Sequence, residues 1–214
     1  MKRVHIRVET DESLNMAVTS LRQGLKPGDI ILTGPIPKNF KSRFLNIIAR
    51  ITIHVLRGIT HSCIYLGNDQ IMDIDHKIIR SGNELECVSI EEFIKRKIEH
   101  FGGVMIYVAR PKKYNSIHRQ KVVKESLETF LKNNDKITHT YVGSLKLGMR
   151  YIFFRNRYYK EDMSFKNAWT CSEMVAYILK KAGIKIGKRA TYMFAPPTFV
   201  SSPYFKVKKK LVME

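Results

Sequence analysis

Hydrophobic and polar positions along the chain divide it into short strands and amphipathic helices. Near the N-terminus "VHIRV" alternates apolar and polar residues, as a half-buried strand does. "SLNMAVTSLRQG" has helical spacing, with Ser13 placed to cap it and Gly24 to stop it. "KPGDIILTG" reads as a turn running into a buried strand at Ile30 to Leu32. From Ser42 to Arg57 the pattern predicts a mostly apolar helix, whose polar residues Arg43, Asn46, Arg50, His54 and Arg57 fall on one narrow stripe. "HSCIYLGNDQIMDID" predicts two strands joined by a tight Gly-Asn-Asp turn.

The second half continues in the same way. "CVSI" is a short strand. "SIEEFIKRKI" is a helix with Ser89 as cap and Glu92 three residues on, a capping-box spacing. "GVMIYVAR" is a strand ended by Pro111, and "SIHRQKVVKESLETFLKNN" an amphipathic helix. A further helix is expected within Thr138 to Arg155, and another starts at Cys171. The tail "KRATYMFAPPTFVSSP" is loop-rich, its paired prolines resisting helix. No repeat or long linker breaks the pattern. The chain reads as a single α+β domain over residues 1–214, a central antiparallel sheet packed by helices.

Composition adds one feature. Lys and Arg number 38 against 19 acidic residues among 214, a formal net charge of +19. This predicts either a lysine-rich surface in water or an anionic partner such as nucleic acid, an acidic membrane face or a charged polymer. None of the sequence-readable nucleic-acid motifs is present. The basic stripe of the 42–57 helix suits peripheral contact with an anionic lipid or polymer surface. No apolar run is long enough for a membrane span and no signal core follows the first residues, so a cytoplasmic location is expected. Three cysteines, Cys63, Cys87 and Cys171, are too few and scattered for a disulfide framework. No C-x-x-C or H-E-x-x-H motif suggests a metal, and no cofactor is expected.

The candidate chemistry lies at "WTCSEMVAYIL". Thr170 to Glu173 fits a capping box, which makes Cys171 the first residue of a helix whose buried face carries Met174, Val175, Ile178, Leu179 and Ala182. A sulfur there sits at the positive end of the helix dipole, where a thiolate is favoured and an oxyanion finds N–H donors. The base candidate is His61, opening a strand in which His61, Cys63 and Tyr65 alternate with Ser62, Ile64 and Leu66. In a hairpin centred on Asn68-Asp69, position 65 lies near 72 and position 61 near 76, which brings Asp73 and its rival Asp75 within reach of His61. On the residues alone Cys171 is equally a small buried side chain, and Cys63 and Cys87 read as core thiols.

The order of these pieces, "GDIIL", then "THSCIYLG" with "QIMDID", then "WTCSEMVAYIL", resembles the circularly permuted branch of the NlpC/p60 papain-like superfamily. The resemblance spans about Lys26 to Gly183 and is nearest to the YiiX-like members, which are related to the lecithin retinol acyltransferase group. It implies a permuted papain-like core at about residues 26–183, with an N-terminal strand and helix and a loop-rich C-terminal extension. It implies Cys171 as nucleophile, His61 as general base and Asp73 as the third residue, where family members usually carry glutamate or histidine. Trp169 and Ser172, flanking the nucleophile, are the substrate-binding candidates. The activity implied is a cysteine hydrolase cleaving an amide bond in a peptide or other amide-linked substrate. A thioesterase or acyltransferase working on lipid is the alternative, and a non-enzymatic binding module with an anionic partner the second alternative.

Overall fold

The computed structural model describes residues 2–36, 58–74, 85–133, 170–187 and 194–213. The expected 42–57 helix, the segment expected within 138–155, and the candidates Asp75 and Trp169 lie outside them. Among the described residues there are seven strands: β1 (Lys2–Ile6), β2 (Ile30–Pro35), β3 (His61–Gly67), β4 (Gln70–Ile74), β5 (Leu85–Ser89), β6 (Val104–Pro111) and β7 (Phe205–Met213). The helices are α1 (Asp11–Arg22), α2 (Ile90–Phe101), α3 (Ser116–Asn133), α4 (Cys171–Lys181) and the short α5 (Thr198–Ser201).

The strands form one sheet in the order β1-β7-β6-β2-β3-β4-β5. All neighbours are antiparallel except β1 and β7, which run parallel, so this α+β sheet is mixed rather than wholly antiparallel as expected. The C-terminal extension also differs from the expected loop. After α5 it enters the sheet as β7, between β1 and β6. Its lysines are spaced by the buried Phe205, Leu211 and Met213 and the half-buried Val207, which anchor the strand, while Lys206 and Lys208 are exposed.

Each face of the sheet builds its own core. On one, Ile31, Cys63, Tyr65, Ile71, Ile106 and Val108 meet the apolar stripes of α1 and α2. On the other, Ile30, Leu32, Ile64, Met72 and Ile74 meet α4, Val122 of α3 and Phe199 of α5. β2 is buried along its whole length, as expected of a central strand covered on both sides. Helix starts follow local chemistry, with one shift from the sequence reading. Thr10, not Ser13, caps α1; Ser13 is the third helical residue and completes a capping box with it.

Two local features place β3 and β4. Asn68 and Asp69 both have positive φ, 48° and 65°, as a two-residue type I′ turn requires, so the hairpin is centred as expected. The register is not as expected. Gly67 pairs with Gln70, but Tyr65 pairs with Ile71 and Ile64 with Met72; the extra residue is a bulge at Leu66. Without the bulge Asp73 would oppose Ile64 and share its face, on the α4 side. With it, Asp73 falls opposite Cys63 and shares a face with His61, since a one-residue slip exchanges the two faces. A second feature fixes the start of β3. A Cβ on Gly34 would meet the carbonyl oxygen of Gly58 at 1.6 Å, so only glycine lets the chain entering β3 lie against β2. Thr60 then donates to the Thr33 carbonyl at 2.9 Å, and His61 pairs with Thr33.

Candidate active site

His61 and Asp73 meet on the face that α1 and α2 cover. Nε2 of His61 donates to Oδ1 of Asp73, leaving Nδ1 as the ring nitrogen not taken by the carboxylate. Both residues are buried. Burial alone would push a histidine's pKa down, but the charge and hydrogen bond of Asp73 together with negative charge on Cys171 outweigh it and lift His61 to about 9. Burial likewise works against a charged carboxylate, yet His61 and Lys97 hold Asp73 well below the usual carboxylate range. At neutral pH the pair is therefore imidazolium and carboxylate.

Lys97 completes this cluster. It lies on the apolar stripe of α2 that also carries Ile90, Phe93 and Ile94, and is only 8 % exposed. Its Nζ is 3.1 Å from Oδ2 of Asp73 and 5.3 Å above the Phe93 ring centroid. The carboxylate thus has one oxygen on the imidazole and the other on the ammonium. The sequence reading did not include Lys97, although a signal was there: a lysine at a core-facing position of an amphipathic helix needs a buried counter-charge.

Cys171 arrives from the opposite core. α4 is capped as expected: Thr170 Oγ1 accepts from the Glu173 N–H at 3.2 Å, and Glu173 Oε2 accepts from the Thr170 N–H at 3.4 Å. Cys171 is thereby the first residue of the helix, 5 % exposed, with the positive end of the helix dipole at its sulfur. α4 packs against β3, and negative charge on Cys171 contributes to raising His61. The two residues belong to opposite faces of the sheet, His61 as the first residue of β3 and Cys171 as the first of α4, and they act on each other electrostatically.

The other candidates fall elsewhere. Ser172, expected to bind substrate, is fully buried and its hydroxyl donates to the Phe194 carbonyl at 2.5 Å; it ties α4 to the segment before α5. Cys63 is a core thiol as expected, with Sγ 3.4 Å from the Ile31 carbonyl and burial pushing its pKa well up. Cys87 is not: it is exposed on β5, the edge strand. None of the three cysteines forms a disulfide, and among the described residues no group of three His, Cys, Asp or Glu side chains is arranged to hold a metal ion. No described helix is long and apolar enough to cross a membrane. No family model, curated protein or solved structure matches this chain.

Proposed function

We propose that this chain is a cysteine acyl-transfer enzyme, a hydrolase of an amide bond, with a permuted papain-like arrangement in which Cys171 is the nucleophile and His61 and Asp73 serve it. The observation that carries the reading is a thiol at a capped helix N-terminus that interacts electrostatically with an imidazole whose Nε2 is bonded to a buried carboxylate. Because His61 is protonated at neutral pH, it is not available as a base toward a neutral thiol. The reactive resting form is a thiolate–imidazolium pair. The thiolate attacks the carbonyl carbon, and the electron pair displaced to oxygen is received by N–H groups at the start of α4. The imidazolium gives its proton to the departing amine, leaving a thioester and a neutral imidazole. The imidazole then takes a proton from water as that water attacks the thioester, and the acid product leaves with the thiolate restored.

One observation favours a second reading. The His61–Asp73–Lys97 cluster faces α1 and α2, whereas α4 packs on the other side of the sheet. In that reading the cluster is a structural ion network and the chain a binding module. Alkylation by iodoacetamide at pH 6 separates the two, because Cys87, an exposed thiol whose pKa partial burial raises further, is almost wholly protonated there. Acyl transfer predicts that Cys171 is labelled at least ten times faster than Cys87, and that His61→Ala removes the advantage while the fold is kept. Labelling of Cys171 no faster than Cys87, and indifferent to His61→Ala, would overturn the enzymatic reading.

A further inference from the structure

The mechanism above makes one demand that His61 and Asp73 do not meet alone. An imidazole bonded to a buried, undivided carboxylate holds its proton tightly, and the same proton must reach the leaving amine. Asp73 is not undivided. Lys97 occupies Oδ2 at 3.1 Å while His61 occupies Oδ1, so one negative charge serves two cations. Lys97 has little freedom to do otherwise. It is 8 % exposed, on the core-facing stripe of α2, with its ammonium above Phe93.

We propose that Lys97 is a positioning residue for the acyl-transfer site: it takes one oxygen of Asp73, leaves the other to Nε2 of His61, and by sharing the carboxylate's charge keeps His61 able to release its proton. This rests on the functional reading given for Cys171 and His61, and it adds a member that neither the sequence motif nor the hairpin contains.

The surroundings favour this role for Lys97. Glu86 pairs with Asp73 across β4 and β5, but Arg96, the neighbour of Lys97 in α2, holds Glu86 at 2.6 Å. Two adjacent basic residues of one helix therefore serve two adjacent carboxylates of the sheet. Cys171 on α4 also acts on His61, and Cys63 on β3 interacts with Asp73 and Lys97. α1 and β6 contribute Leu14, Val18, Val104 and Ile106 to the core they share with α2, while the α1 charges Asp11 and Arg22 act on Lys95 and Glu91 of α2. The lysine charge also opposes protonation of His61 directly, the sign the proposal requires.

The test is the ring titration of His61, followed by NMR on protein labelled at histidine nitrogen and assigned by the signal lost in His61→Gln, in wild type, Lys97→Met and Lys97→Arg. Lys97→Met is expected to move the midpoint upward by about one pH unit, a tenfold change in proton affinity. Lys97→Arg, which keeps the charge, is expected to leave it near the wild-type value. The pH profile of Cys171 alkylation should move with the titration, whereas a merely structural role would lower its rate without moving it. If Lys97→Met does not fold, Lys97→Gln takes its place. A midpoint unmoved by loss of the charge, or Lys97→Arg behaving as Lys97→Met does, overturns the proposal. A shifted titration with alkylation of Cys171 indifferent to His61→Ala would keep the Lys97–Asp73–His61 linkage and sink the acyl-transfer reading instead.

Discussion

Two carboxylates are buried at this sheet among the described residues, and they are held in opposite ways. Asp29, at the entry to β2, is gripped by Arg110: Nε donates to one oxygen and Nη2 to the other, both at 2.6 Å, while the Lys26 N–H adds a bond of 2.9 Å. The same Nη2 donates to the Gly24 carbonyl at 2.7 Å, tying the end of α1 to β6. A guanidinium does not lose its proton in a protein, and its planar fork fits a carboxylate on two sides. Asp73 is bonded instead to an imidazole and an ammonium, both of which can lose a proton. The first arrangement is a clamp whose cation keeps its proton. The second changes charge within an accessible pH range, and burial of a carboxylate alone does not tell the two apart.

The largest effect should come from opening the clamp. Arg110→Met leaves Asp29 fully buried and without its cation, and is expected to cost about 3–5 kcal/mol in urea unfolding at pH 7. Cys171 alkylation in the fraction that remains folded should be unchanged, because Arg110 serves the frame. A loss of Cys171 reactivity that outruns the loss of folded protein would break the distinction between the two carboxylates.

That distinction was only partly legible in the sequence. The turn at Asn68-Asp69 and the capping box at Thr170 were readable because each is written in adjacent residues whose backbone or hydroxyl chemistry has few alternatives. The bulge at Leu66 was not, since periodicity within one strand carries no record of an extra residue relative to its partner. It decided which face Asp73 joined. Asp29 was visible as part of a turn, but Arg110 lies 81 residues away and nothing local couples them. β7 was hidden because the consecutive Lys208, Lys209 and Lys210 interrupt its alternation, while every strand partner it has is far off in the chain. Lys97 could have been found: the apolar stripe of α2 runs through it. Thr10 was passed over for Ser13 because threonine and serine three apart suit either end of the same capping box.

A smaller and pH-dependent effect is expected at the second carboxylate. His61 titrates near 9 when folded and at the ordinary 6.5 when unfolded, so its bond to Asp73 stabilises the fold fully below about pH 6.5. That contribution declines as pH rises and is gone above about 9. Asp73 has the opposite sign: its depressed pKa stabilises the fold above its ordinary 3.8 and loses that contribution on acidification. Asp73→Asn should therefore cost about 1–3 kcal/mol near pH 6, and clearly less near pH 9.5, by urea unfolding at the two values. Arg110→Met should cost the same at both. Equal pH dependence in the two variants would show that the clamp and the titrating cluster are one electrostatic unit.

The smallest effect tests whether the sulfur belongs to the frame or to the cluster. Thr170 stabilises the first turn of α4 through its hydroxyl, and Thr170→Ala removes that bond at a cost of about 1 kcal/mol. Thr170→Ser keeps the bond and should be nearly neutral. Fraying of the first turn also withdraws the ordered N–H groups that favour a thiolate at Cys171. Thr170→Ala should then slow iodoacetamide labelling of Cys171 at pH 6 by a few-fold while leaving the His61 ring titration within a few tenths of a pH unit. That outcome would mean that the thiolate depends on two supports brought from opposite faces of the sheet, the helix end and the imidazolium. Labelling unchanged in Thr170→Ala but lost in His61→Ala would assign the thiolate to the imidazolium alone, and the helix terminus would then count only as part of the fold.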